Sequence, residues 1–241
     1  GNADLRPEKT IQGELGLQQQ IAYNMALDLT AYFRDIRDLA GTRSEEITLF
    51  GGSASYNRLE NSDFAYVRGI VLSLSMIETN GFSGSLDYTY QIAKGSASDP
   101  QQARNAIAGG SLPEIQLIPL NWDQRNTINL SMAYDRKNWG LSTIGQFGSG
   151  LPYTPLSTED ISSFVLNSGK KPLTWNIDLK GYFIPKEGIT LFLRAQNILD
   201  RLNQYNVYDD SGSAEFTRWK KIAESQNTGE PVNTITDWFQ N

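Results

Sequence analysis

The 241-residue sequence contains no cysteine and no histidine. The first absence removes disulfides, thiolate nucleophiles and zinc–thiolate sites, and leaves the redox compartment open. The second removes Ser-His-Asp and Cys-His catalysis and most zinc enzymes. There is no surplus of positive charge: 21 Lys and Arg stand against 27 Asp and Glu, a formal net charge of -6. With no basic stripe either, nucleic acid is not an expected partner. No run of about 18 apolar residues occurs, so no segment reads as a membrane-spanning helix. The opening Gly1-Asn2-Ala3-Asp4 is polar and does not read as a signal peptide.

What the sequence does have is alternation. From Thr127 to Tyr134, Ile128, Leu130, Met132 and Tyr134 share one side, opposite Thr127, Asn129, Ser131 and Ala133. After a polar turn at Asp135 to Asn138, Trp139, Leu141, Thr143, Gly145 and Phe147 oppose Ser142, Ile144 and Gln146. A period of two means strand, with its two faces in different surroundings. The same signature places Ile11, Leu15, Leu17 and Ile21 opposite Gln12, Glu14 and Gln18, then Leu27, Leu29 and Phe33 opposite Asp28, Tyr32 and Arg34. Ile70, Leu72, Leu74 and Met76 form the next apolar side, and Phe82, Leu86 and Tyr88 follow the Asn80-Gly81 dipeptide, a strong hairpin signal. Trp175, Ile177, Leu179 and Phe183 lead through a turn at 184–188 to Ile189, Leu191 and Leu193. The expectation is all-β: an antiparallel meander of about eight long strands, each near the roughly 9–11 residues that cross a bilayer on a tilt.

The connections alternate between short and long. Short turns lie at 22–24, 78–81, 135–138 and 184–188; the long stretches are 40–63, 95–120, 151–174 and the tail after Asp200. A transmembrane barrel keeps that order, with turns on the periplasmic side and loops outside. Aromatics gather at both strand ends: Tyr23, Phe82, Tyr134, Trp139 and Phe183 beside the turns, Trp122, Tyr153 and Trp175 toward the loops. Two belts flanking an aliphatic band are what a bilayer selects, whereas a soluble sandwich would hold its aromatics mid-strand. On this reading Leu72, Leu74, Ile128, Leu130, Met132, Leu141, Ile177 and Leu179 face lipid. Arg34, Asp87, Gln146, Asp178, Lys180 and Arg194 face a wet lumen, lining a path, contacting a plug or pairing across strands.

No catalytic constellation stands out, and neither a metal site nor a cofactor is expected. Glu45-Glu46 and Glu159-Asp160 are adjacent carboxylates in long loops and read as solvated charge. Asp209 to Ser213 lacks the alternating ligands of a calcium loop and reads as a turn. Gly148-Ser149-Gly150 has no Lys-Ser/Thr after it and is not a phosphate loop.

Seven segments in order resemble the TonB-dependent receptors of the bacterial outer membrane, in the Bacteroidetes-type form. They are GNADLRPEKT, TAYFRDIRDL, VRGIVLSL, WDQRNTINL, GSGLPYTP, WNIDLKGYF and LRAQNILDR. The resemblance implies that residues 1–241 are an incomplete C-terminal portion of a roughly 22-stranded barrel, with the plug domain and first barrel half absent. It implies energised uptake of a scarce ligand. The partners would be outer-membrane lipid, the plug of the same parent chain and an inner-membrane energy-coupling complex, and it is compatible with a surface lipoprotein. The alternatives from the residues alone are an adhesion or assembly barrel without transport and a soluble β-rich binding domain.

Overall fold

In the computed structural model, the structure describes residues 2–42, 47–49, 54–56, 59–96, 117–156, 166–217 and residue 226. The strands are β1 (Lys9–Ala22), β2 (Met25–Thr42), β3 (Ile47–Leu49), β4 (Ala54–Tyr56), β5 (Leu59–Thr79), β6 (Phe82–Gly95) and β7 (Ile118–Pro119). They continue as β8 (Asn126–Asp135), β9 (Trp139–Gly148), β10 (Pro152–Tyr153), β11 (Gly169–Lys170), β12 (Thr174–Lys186) and β13 (Ile189–Ala195). The eight long strands form one antiparallel sheet in the order β1-β2-β5-β6-β8-β9-β12-β13, with β7 added to β6. The sheet is open: β1 and β13 are its two edges. The expected meander of about eight strands is therefore the fold.

Register follows from the alternation, because slipping one residue would move every apolar side chain to the wrong face. Directly paired residues run in rows across the sheet. One apolar row is Leu17, Leu29, Leu72, Tyr88, Ile128, Phe147 and Trp175. The next is Leu27, Leu74, Leu86, Leu130, Gly145 and Ile177. Nothing in the described chain covers this face: Leu15 is 79% exposed and Leu193 77%. Among the described residues the buried hydrophobics are Ala65, Val67, Ala93, Ile118 and Leu120. A soluble chain of this length would bury far more.

Several boundaries differ from the sequence-based expectation. β8 and β9 have 10 residues each, within the expected 9–11, but β2 has 18 and β5 has 21. Alternation fades after Asp35, but the pairing does not. Asp38 adopts φ 59° where the β2–β5 register shifts between Ile36 and Leu39, and the ladder resumes from Leu39↔Asp63 to Thr42↔Leu59. A bulge breaks the period without ending the strand. The loop expected over 95–120 is closed at its base, where Lys94↔Pro119 and Gly95↔Ile118 pair. The turn expected over 184–188 narrows to Glu187-Gly188, since β12 runs to Lys186 and Gly188 has φ 83°. Residues 204–208 form no strand.

The small core lies on the polar face, near the loop ends of β2, β5 and β6. Val67 and Ala93 pair there, as do Ala65 and Gly95, with Leu120, Tyr32, Ile36 and Leu39 packed against them. Gly95 leaves the space Leu120 uses: a Cβ there would meet Leu120 Cδ2 at 3.1 Å and Phe64 O at 2.8 Å. The polar face is thus not wet along its whole length, as its alternation in the strand centres suggested.

Candidate functional site

The polar face carries its own continuous row. Gln18, Asp28, Ser73, Asp87, Asn129, Gln146 and Asn176 are direct cross-strand partners from β1 to β12. Each belongs to the alternating polar position of its strand, so the pleat sends all of them to one side. The row opens with Gln18 Nε2 donating to Asp28 Oδ2 at 2.6 Å. Asp87 and Gln146, picked out from the sequence, are two residues apart in this row, with Asn129 between them.

Asp178, Lys180 and Arg194 meet at the β12–β13 end. Lys180 and Arg194 are direct partners, and Arg194 Nη2 lies 4.0 Å from Asp178 Oδ2. Asp178 offsets two like charges that would otherwise repel across the pair. Its carboxylate also accepts the Asn197 backbone N–H at 2.9 Å and Asn176 Nδ2 at 2.8 Å. Arg34 stands apart, between Gln12 and Val67, with its guanidinium 5.7 Å from the Tyr32 ring centre.

The expected lipid-facing residues Leu72, Leu74, Ile128, Leu130, Met132, Leu141, Ile177 and Leu179 all share the opposite, apolar face. At the turn end, Phe82 and Tyr134 rings stand 4.3 Å apart and Tyr134 and Trp139 5.5 Å, with Phe183 paired to Trp139. Tyr23 occupies the β1–β2 turn and is exposed. At the loop end, Trp122 lies exposed between β7 and β8, and Trp175 pairs with Phe147 of β9 beneath the Arg201 guanidinium, 5.6 Å from its ring centre. Tyr153 sits in β10 against Gly169 and Gly212, where a Cβ would approach its ring or hydroxyl to 2.5 Å. Burial, then Asp209 and Asp210, push its hydroxyl above the usual tyrosine range.

An open cleft lies on the polar face where β8, β9 and β12 meet the tail. Gln124, Asn129, Gln146, Asn176, Asn203 and Tyr205 are among its lining residues. Its amides offer donors and acceptors without net charge. Such a surface can hydrogen-bond a polar group from several sides. Among the described residues no group of His, Cys, Asp or Glu could hold a metal ion. Glu45, Glu46, Glu159 and Asp160 lie outside the described residues, as do residues 43–46, 50–53, 57–58 and 97–116 and the end of the tail.

Sequence reasoning passed over the residues that fix the loop ends. Asp123 is fully buried. Its Oδ1 accepts the Ala93 backbone N–H at 2.8 Å and its Oδ2 pairs with Arg125 Nε at 2.7 Å. Burial lowers the Lys170 ammonium below the usual lysine range; Asp123 raises it and Arg125 lowers it further. After β13, Asn197 and Asp200 both take φ 49°. Asn197 Oδ1 accepts the Arg201 backbone N–H at 2.9 Å, and Asn203 clamps Trp175 by accepting its N–H at 3.1 Å and donating to its carbonyl at 2.9 Å. Here side-chain amides satisfy the β12 backbone that β13 no longer reaches. The legible signal was Asn and Asp clustered after a strand, the residues that best tolerate a left-handed backbone.

Comparison with known proteins agrees with this geometry. A family model described as TonB dependent receptor-like, beta-barrel matches residues 1–198. The outer membrane transporter YddB from Escherichia coli superposes with a TM-score of 0.61 at 13% identity, over 82% of this chain and 29% of that one. A ferric enterobactin receptor, PfeA, from Pseudomonas aeruginosa gives 0.60 at 17% identity, over 83% and 27%. The ferric-catecholate import receptor Fiu from E. coli gives 0.56 at 16% identity, over 83% and 24%. The chain therefore spans under a third of the length of these structures. No curated protein matched by sequence.

Proposed function

We propose, from the premise that this chain belongs to the TonB-dependent receptor β-barrel family, that it forms the wall through which a scarce ligand is taken up, in energised fashion, across the bacterial outer membrane. The apolar face meets lipid and the polar row faces the lumen. The short turns are periplasmic, with Tyr23, Phe82, Tyr134, Trp139 and Phe183 as the inner belt and Trp122, Tyr153 and Trp175 toward the outer one. The observation that carries this reading is the unbroken polar row from Gln18 to Asn176 on one face, with exposed aliphatic rows on the other. A sheet of this kind is stable only where each face has its own solvent. Arg34, Asp87, Gln146, Asp178, Lys180 and Arg194 then line the path or the seat of a plug supplied by the same parent chain. Energy arrives through that plug from an inner-membrane complex, and a surface lipoprotein is a compatible partner at the loops.

The test is depletion of the medium. Cells with and without the intact receptor are grown side by side, with and without a protonophore, and small molecules in the medium are followed by mass spectrometry. The expected result is a compound removed only by receptor-bearing cells and spared once the proton gradient collapses. Removal that ignores the protonophore would contradict energised uptake.

A further inference from the structure

The apolar face is not free of charge, and its charges are not spread evenly. In the eight long strands its positions carry Lys9, Arg37 and Lys94 at the loop ends of β1, β2 and β6, and Arg68 midway along β5. The matching positions of β8, β9, β12 and β13 carry none; Lys186 beside the last short turn is the remaining cation. The four lie close together. Lys9 pairs with Arg37, Phe33 with Arg68, Arg68 with Ile92, and Tyr66 with Lys94. With strands about 4.8 Å apart and same-face residues about 7 Å apart, the patch spans about 14 Å each way.

Two carboxylates answer part of this charge. Asp35 holds Arg37 through an Nε contact of 2.7 Å and an Nη2 contact of 3.0 Å, and Asp38 lies 3.7 Å from Lys9. Arg68 and Lys94 are in no ion pair among the described residues. The patch is net positive and bedded on aromatic rings: the Arg37 guanidinium is 5.5 Å from the Phe64 ring centre, and Tyr66 and Phe33 stand in the same rows.

Height above the turns decides what such a patch meets. Arg37 and Lys94 are each about 12 residues from the first residue of their strand at the turn end. At roughly 3.3 Å per residue and about 40° of tilt, that is about 30 Å, beyond an apolar band about 25 Å tall. Arg68 lies lower, near the top of the band, where a long guanidinium side chain reaches upward to the interface. Cations that face outward at headgroup height, with aromatics beneath, match a phosphate on a lipid of the outer leaflet.

We propose that Arg37, Arg68 and Lys94, with Lys9 at the rim, form a binding site on the outward face for a phosphorylated lipid headgroup of the outer leaflet. This rests on the reading that the apolar face meets lipid. The site is a feature of one half of the sheet, so it also fixes which side of the barrel holds the lipid.

The test uses the intact receptor in dodecyl maltoside, with diphosphoryl lipid A and dephosphorylated lipid A as probes and native mass spectrometry as readout. The unaltered protein is expected to bind the phosphorylated probe at least about tenfold more tightly. The triple variant R37A/R68A/K94A should lose that preference, R37K/R68K/K94R should keep it, and Lys137→Ala, at a short turn, should leave it unchanged. Equal binding of the two probes by the unaltered protein overturns the site without need of any variant, and so does an unaltered preference in the alanine triple. Insertion tells the two readings apart. If a charge at Leu130 impairs insertion far more than one at Asn129 while the lipid A preference is absent, the site falls and the barrel reading stands; if both positions tolerate charge equally, the barrel reading itself falls.

Discussion

At the scale of single residues, the chain is held by a few polar side chains that each do two jobs. Asp123 is the clearest case: it accepts from Ala93 in the gap where β6 passes from its pairing with β8 to its pairing with β7, and it neutralises Arg125. Asp123→Ala leaves a buried N–H and a half-buried guanidinium unpaired. We expect a loss of about 3 kcal/mol, seen as a lower unfolding temperature and faster hydrogen exchange over residues 117–125. Asn197 is the second case. Its backbone takes φ 49° and its side chain joins Arg201 by two hydrogen bonds, to the backbone N–H and carbonyl. Asn197→Ala should cost about 1–3 kcal/mol through left-handed strain and lost bonds, with the exchange change confined to the β12–β13 end.

At the scale of elements, turn chemistry and bulges set what the strands do. Asn80 and Gly81 have φ 55° and 91°, and a Cβ on Gly81 would stand 2.5 Å from the Asp135 carbonyl oxygen. Gly81→Ala should therefore destabilise by about 1 kcal/mol or more, read by chemical unfolding in detergent. The extended ends of β2 and β5 carry a pH dependence. Burial raises the Asp63 carboxyl above its ordinary value of 3.8, while a hydrogen bond involving Ser96 lowers it. The folded state thus holds this proton more tightly than the unfolded state, so stability from Asp63 is full at low pH and falls as pH rises through the raised value. Hydrogen-exchange protection at the loop end of β5 should weaken as pH rises above the ordinary carboxylate value of 3.8, and Asp63→Asn should flatten that change. These elements also mark how far the sequence could be read. The hairpin at Asn80-Gly81 and the two faces of β8 and β9 were legible because period and turn residues agree. The outer parts of β2 and β5 were not, because the bulge at Asp38 resets the period. The core of Ala65, Val67, Ala93 and Leu120 was not, because it depends on a residue more than 20 positions from its strands. On the polar face, the residue types of Asp87 and Gln146 were legible but not their union in one row, which only register reveals.

At the scale of the whole molecule, the open edges matter most. β1 and β13 each present an unpaired ladder, which a bilayer does not tolerate. Where further strands complete the barrel, the amides of Lys9–Ala22 and Ile189–Ala195 should exchange as slowly as those of β2; where these 241 residues stand alone, they should exchange fast. Equal, rapid exchange in both would mean that no further strands complete the barrel here. The central claim is that one face of this sheet meets hydrocarbon and the other meets water. The neighbouring residues Leu130 and Asn129 test it most directly, because they sit in adjacent rows on opposite faces. The measurement is the equilibrium folding free energy of the intact protein in phospholipid vesicles, with arginine placed at one position or the other. Leu130→Arg should cost about 2–4 kcal/mol, as a charge facing the bilayer midplane does, and Asn129→Arg less than about 1 kcal/mol. Equal costs at the two positions would contradict the account.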